Sequence, residues 1–172
     1  CDDRPLNIVR TKSTWKNIGI EYLFECFKQL EKYHKLYDPK GFFKEWGITK
    51  PVKVEGDQRI TMQVRCVFTL GPMMSNRMSI YDAELIRDPE NSKMFHMFFY
   101  TVEAPVPDGC VAASFMKYGT YEQVGDDVIA HECQTMDLKG YFPKSLMNKL
   151  QATLTSDNAK ATYEIMKTIK KE

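Results

Sequence analysis

The chain has 172 residues, a length that fits one domain built around one core. Its 24 Lys and Arg against 23 Asp and Glu leave a formal charge of +1, so no broad field recommends nucleic acid or another polyanion as a partner. Aromatic residues make up 12% and there are ten Met, a stock that suits an adaptable cavity wall or an ordinary core.

Residues 6–12 have strand composition. After Asn17-Ile18-Gly19 the apolar residues Leu23, Phe27 and Leu30 recur at i, i+4 and i+7 with Phe24 beside them, which predicts an amphipathic helix. A second short helical piece near 31–36 ends before Asp38-Pro39, because proline disfavours the helical conformation in the residue before it. Phe42, Phe43 and Trp46 then read as a compact apolar knot.

Beyond Pro51, turn residues at 56–57, 71–72, 88–91, 105–109 and 119–127 separate runs rich in Val, Ile, Phe and Tyr. They predict a meander of six strands near 52–56, 58–69, 77–87, 93–103, 110–118 and 127–137. In the third of these, Tyr81, Ala83 and Leu85 share one face and Asp82 and Glu84 the other, as in a sheet with one buried side. After Gly140 and Pro143 the chain is helical to its end, with Leu146, Leu150, Leu154, Tyr163, Met166 and Ile169 as apolar positions. Ser156-Asp157-Asn158 is expected to kink or re-cap this helix. An antiparallel sheet of about seven strands has one face to cover, and a long helix across a curved sheet leaves a cavity.

Three segments carry a resemblance to a known family. Asp137-Leu138-Lys139-Gly140-Tyr141-Phe142-Pro143-Lys144-Ser145-Leu146-Met147-Asn148 closely resembles the D-x-K-G-x-x-P-x-x-L-x-N junction of StAR-related lipid transfer (START) domains. Gly71-Pro72-Met73-Met74-Ser75-Asn76-Arg77 resembles the P-x-S-x-R-D segment of that family. Thr101-Val102-Glu103-Ala104-Pro105 with Gly109-Cys110-Val111-Ala112-Ala113 is similar to its S-V-x-H-P loop and G-x-V-R-A strand. Met78 and Ala112 depart from the pattern, standing where the family usually has Asp and often has a second arginine. The chain also begins at what would be the third START strand, so it is either trimmed or a minimal helix-grip domain like the birch-pollen-allergen-like proteins.

The resemblance implies an α+β helix-grip fold: a curved antiparallel sheet of about seven strands wrapped around a long C-terminal helix, with two short helices after the first strand. It implies one START-like lipid-binding domain over 1–172, lacking the N-terminal helix and first strands of a full-length one. The function implied is binding of a single lipid, phospholipid or sterol-like, in an internal apolar cavity and its transfer between membranes. A lipid-sensing regulatory module of a larger protein is the first alternative, and a first residue that is Cys leaves room for additional domains upstream.

Within the cavity, Arg77 matches the family arginine, and a guanidinium can hold phosphate or carboxylate through two parallel bonds; a structural ion pair is the other reading. Gln63 lies close to a family position that can carry a polar cavity residue, and a slip of one residue would place it outside. Tyr81 shares the strand face of Arg77 by parity. Phe98 and Tyr100 fall in a segment apolar on both faces, so either side can line the pocket. Met147 and Leu150 are candidate lid contacts, in a spacing that equally suits core. Lys144, Lys149, Lys160, Lys167, Lys170 and Lys171 could meet anionic headgroups during a transient membrane contact, or simply form a solvated face.

Catalysis is the remaining alternative, and His131 with Cys133 on one strand face is the local pair that suggests a base and a nucleophile. Side chains at i and i+2 on a strand stand ~7 Å apart, with no third orienting group in view, so a buried thiol and a satisfied histidine is the default and no enzyme is expected. Cys1, Cys26, Cys66, Cys110 and Cys133 are odd in number and form no C-x-x-C pair, which points to a reducing compartment and to no metal or cofactor. No apolar run reaches the ~20 residues that span a bilayer. The expected location is cytoplasmic with peripheral membrane association.

Overall fold

A computed structural model describes residues 7–38, 43–69, 74–139 and 144–172, without the side chains of Tyr37 and residues 144–146. Leu6, Phe42, Gly71-Pro72-Met73 and residues 140–143 of the motifs above lie outside the described residues, as do the side chains of Lys144 and Leu146.

The first strand, β1, runs Val9–Trp15 and alternates until Trp15 is buried. Helices α1 (Glu21–Lys28) and α2 (Leu30–Tyr37) follow, joined at Gln29. α1 buries Leu23, Phe24, Cys26 and Phe27, the stripe that its spacing predicts. Its entry is held from the sheet: the Gln123 side-chain oxygen accepts from the Ile20 amide at 2.6 Å.

Strand β2, Phe43–Glu55, replaces the expected apolar knot and begins nine residues earlier than the strand predicted from 52. Its pairing with β3 (Arg59–Phe68) shifts register at three places, so burial never alternates cleanly along it and period two is hidden in the sequence. Pro51 is tolerated because β2 is an edge strand.

β4 (Asn76–Arg87) and β5 (Met94–Thr101) continue the meander. The run expected at 110–118 divides into β6 (Cys110–Ala112) and β7 (Ser114–Val124), and β8 spans Asp127–Asp137. Residues 119–124, read from sequence as turn, belong to β7. Its glycine is there for space, since a Cβ on Gly119 would come within 3.0 Å of the Tyr121 ring. The turn itself is at Gly125, whose φ of 60° suits glycine.

The sheet order is β1-β8-β7-β5-β4-β3-β2, an antiparallel path of seven strands, with β6 added parallel to β4 as an eighth. Helix α3, Lys144–Lys171, is 28 residues long and helical throughout, about 42 Å at 1.5 Å per residue. No re-cap interrupts it at 156–158. Thr155 and Thr162 hydroxyls donate to the carbonyls of Gln151 and Asn158 one turn back, so local hydrogen bonding here accompanies the helix.

α3 packs against α1, α2, β1 and β8. The main core joins Trp15, Ile18, Leu23 and Phe27 to Ile60, Leu85, Phe95, Tyr121 and Ile165, while Cys66, Phe68, Ala113, Leu138 and Met147 form a second cluster at the other end. Arg87 ties α1 to the sheet, donating to both carboxylate oxygens of Glu21 at 3.1 and 2.9 Å and lying 4.4 Å from the Phe95 ring centre.

Candidate functional site: an interior cavity

Between the concave face of the sheet and α3 lies a cavity of about 430 Å³. Alternation decides what each strand contributes. On β4 the inward residues Ser79 and Tyr81 line it, on β5 Met97 and Phe99, and on β7 Phe115 and Lys117. β8 supplies Gln134 and Met136, β2 supplies Phe43 and Trp46, and β3 supplies Cys66 and Phe68. Phe27 and Leu30 close the side beneath α1 and α2, and Leu150, Thr153, Leu154, Asp157, Asn158 and Thr162 of α3 form the roof.

Aromatic rings dominate one end. Tyr81 meets Phe99 at 5.5 Å and Phe115 at 6.1 Å between ring centres, and Phe99 meets Phe27 at 5.9 Å. Trp46 stacks on His34 of α2 at 4.8 Å with the planes 6° apart. Burial pushes the Tyr81 phenol well above its ordinary range, with the neighbouring Cys66 adding to the shift and the Trp46 side chain opposing it. Burial likewise pushes the Cys66 thiol up to about 12, and the thiol donates to the Ser79 carbonyl at 3.6 Å. Both groups are neutral and the site offers no thiolate there.

The polar groups gather on the inner faces of β7 and β8. Lys117 and Glu132, 8% and 5% exposed, form an ion pair at 2.6 Å. Tyr121 donates to the same carboxylate oxygen of Glu132, and Thr11 of β1 reaches the other at 3.5 Å. Gln134, directly opposite Lys117 in the β7–β8 register, donates its amide N–H to Thr155 of α3, whose hydroxyl passes on to the Gln151 carbonyl at 2.7 Å. The side-chain oxygen of Gln134 has no hydrogen-bond partner among the described residues.

Two of the residues expected from sequence, Tyr81 and Leu150, are in the cavity wall. Arg77 is buried on the expected face, but its guanidinium is turned to the backbone where β8 ends and β4 begins: Nε donates to the Leu138 carbonyl at 2.6 Å, Nη1 to the Ser75 carbonyl at 2.5 Å and Nη2 to the Lys139 carbonyl at 3.3 Å. Gln63 lies on the outer face of β3, between Thr49 at 3.0 Å and Asp82 at 2.8 Å, the outcome that a one-residue slip produces. Phe98 and Tyr100 point outward as well; Phe98 packs on Tyr118 and Tyr100 is 42% exposed, whereas Phe99 between them faces in. Met147 is buried in the second cluster beside Leu138.

The junction motif acquires a physical reason. Lys139 has φ 51°, and the Asp137 carboxylate stabilises that turn by accepting from the Lys139 amide at 2.9 Å and pairing with its ammonium at 2.7 Å. His131 and Cys133 are on the outer face of β8, opposite Lys12 and Arg10 of β1. Among the described residues no group of three or more His, Cys, Asp or Glu could hold a metal ion, and no helix is long and apolar enough to cross a membrane.

Sequence reasoning missed Phe99, Phe115, Lys117, Gln134 and Trp46. For β7 the hydropathy pattern misleads, because Met116 and Tyr118 are 57% and 38% exposed while Lys117 between them is buried.

The sequence matches no family model and no curated protein. Solved structures do match it. Human STARD10 superposes with a TM-score of 0.75 at 16% identity over 96% of this chain and 65% of that one. The lipid transfer and protein localization domain of human StarD13 gives 0.69 at 16% identity, covering 96% and 79%. Norcoclaurine synthase from Thalictrum flavum gives 0.52 at 13% identity, covering 94% and 93%. The chain has the START helix-grip fold, and it spans just under two thirds of the STARD10 chain. The same fold also houses an enzyme.

Proposed function

We propose that this protein binds a single lipid, phospholipid or sterol-like, inside the cavity under α3 and transfers it between membranes. The observation that carries this reading is an interior space of about 430 Å³ with Phe27, Trp46, Tyr81, Phe99 and Phe115 on its walls. Such a space falls in the ~300–1,000 Å³ range of small-molecule sites. It favours an apolar occupant, because lining atoms without neighbours forgo their dispersion contacts. STARD10 and StarD13 share the fold, which supports lipid as the class of occupant.

Each buried methylene is worth ~0.8 kcal/mol, so releasing a sixteen-carbon chain into water costs on the order of 12 kcal/mol. Exchange therefore takes place at a membrane surface, where bilayer receives the emerging chain, and α3 with its adjoining loops is the element that moves. The setting is cytoplasmic with transient membrane contact, the whole chain acts as one lipid-binding domain, and no bond is made or broken. The outward placement of His131 and Cys133 supports the non-catalytic reading.

The test is native mass spectrometry of protein purified from a eukaryotic host, with organic extraction and identification of any lipid that leaves with it. One lipid per chain is the expected result. Protein that is always empty and takes up neither fluorescent sterol nor fluorescent phospholipid would overturn the proposal.

A further inference from the structure

Resting on that reading of the cavity, the geometry points to Lys117 and Gln134 as a paired site for an uncharged lipid hydroxyl, which we propose as the head group that this cavity selects. Lys117 of β7 and Gln134 of β8 are register partners on the concave face, and opposed residues of an antiparallel pair stand ~5 Å apart at Cβ. Both side chains line the cavity, so one occupant can meet both. Lys117 spends one N–H on Glu132, and its remaining N–H groups have no acceptor among the described residues. The Gln134 oxygen, on a side chain only 2% exposed, has no donor among the described residues. Leaving a buried acceptor unpaired is costly, so an occupant that supplies a donor is favoured at that point.

The two groups ask for opposite partners. Lys117 offers protons and Gln134 needs one. A hydroxyl satisfies both at once, accepting from the ammonium and donating to the amide oxygen. A methyl ether or an ester oxygen can only accept, and leaves Gln134 orphaned.

Charge argues against phosphate. Glu132 already neutralises Lys117, and the other charged residues of the wall, Asp38 and Asp157, are acidic. No second cation lines the cavity among the described residues, and the guanidinium of Arg77 is committed to three backbone carbonyls. A phosphate brought to Lys117 would sit beside the Glu132 carboxylate, where like charges repel in a low dielectric.

A matched series isolates the head group: 1-decanol, decyl methyl ether and decyl phosphate, which share one chain, each displacing the neutral fluorophore N-phenyl-1-naphthylamine from the lipid-stripped full chain. The expected order is alcohol tightest, with the ether and the phosphate each weaker by about tenfold or more, the factor that one buried hydrogen bond carries. In Gln134→Leu the alcohol falls to the level of the ether while the ether is unchanged, a comparison internal to the variant and independent of its stability. Equal displacement by all three compounds, or phosphate tightest, overturns the hydroxyl site and leaves the lipid reading standing. No fluorophore uptake and no binding of any of the three overturns both.

Discussion

Arg77 at the start of β4 donates to the carbonyl of Leu138, 61 residues on, at 2.6 Å, and so fastens the sheet to the point where the chain leaves β8 for α3. The guanidinium also serves Ser75 and Lys139, so this residue organises a corner of the fold.

Arg77→Ala strands three carbonyls at that corner. With hydrogen bonds to a charged donor worth ~1.5–3 kcal/mol each and not additive, the expected loss is about 3–4 kcal/mol. Urea unfolding should show a lower midpoint at unchanged slope. Lipid uptake per folded molecule stays at the wild-type level, whereas a role in holding the ligand would abolish it.

Gly119→Ala places a methyl group 3.0 Å from the ring of Tyr121, which is fully buried and cannot withdraw. Overpacking of this kind costs ~1–3 kcal/mol. Gly119→Ala in a Tyr121→Phe background keeps most of that penalty, because the ring carbons remain in the way, and chemical denaturation of the two pairs checks it.

Lys117→Met leaves the Glu132 carboxylate buried with only the hydroxyls of Tyr121 and Thr11 as partners among the described residues. Breaking a buried pair from one side costs ~3–5 kcal/mol, while replacing both partners by neutral groups is often close to neutral. Lys117→Met combined with Glu132→Gln is therefore expected to be more stable than Lys117→Met alone. A double-mutant cycle measured by urea unfolding gives the coupling.

Acid stability should depend on the β8–α3 junction. Burial pushes the Asp137 carboxyl up, but the ammonium and amide of Lys139 together bring it below its ordinary value of 3.8. A depressed folded-state value means stabilisation that is complete above the unfolded value and lost as pH falls through the folded one. Wild type should thus lose stability as pH drops below ~4, and Asp137→Asn should be less stable at pH 6 yet flatter toward pH 3. Equal acid slopes for the two proteins in urea melts at pH 3, 4 and 6 would remove Asp137 from this account.

Helix α1 was legible because Leu23, Phe27 and Leu30 repeat at helical spacing, and the end of α2 because a proline follows Asp38. β3 and β4 were legible because each has one wet and one dry face. β2 was not, since three register shifts destroy the alternation along an edge strand. The site was less legible than the fold. Tyr81 and Leu150 follow from parity and helical spacing, but on β5 the inward residue is Phe99, between Phe98 and Tyr100. In a strand apolar on both faces nothing local distinguishes the two sides.

By itself the sequence determined the broad order of elements, one long helix after an antiparallel meander, because this depends on periodicity and on bonds between residues two to four apart. Tertiary structure alone decided what faces the cavity. Lys117, Glu132 and Gln134 are inside because β7 and β8 pair in one register and no other, and a lysine can be buried only where that register supplies a carboxylate within 2.6 Å. Such a contact is a property of two strands brought together, and neither strand carries it alone.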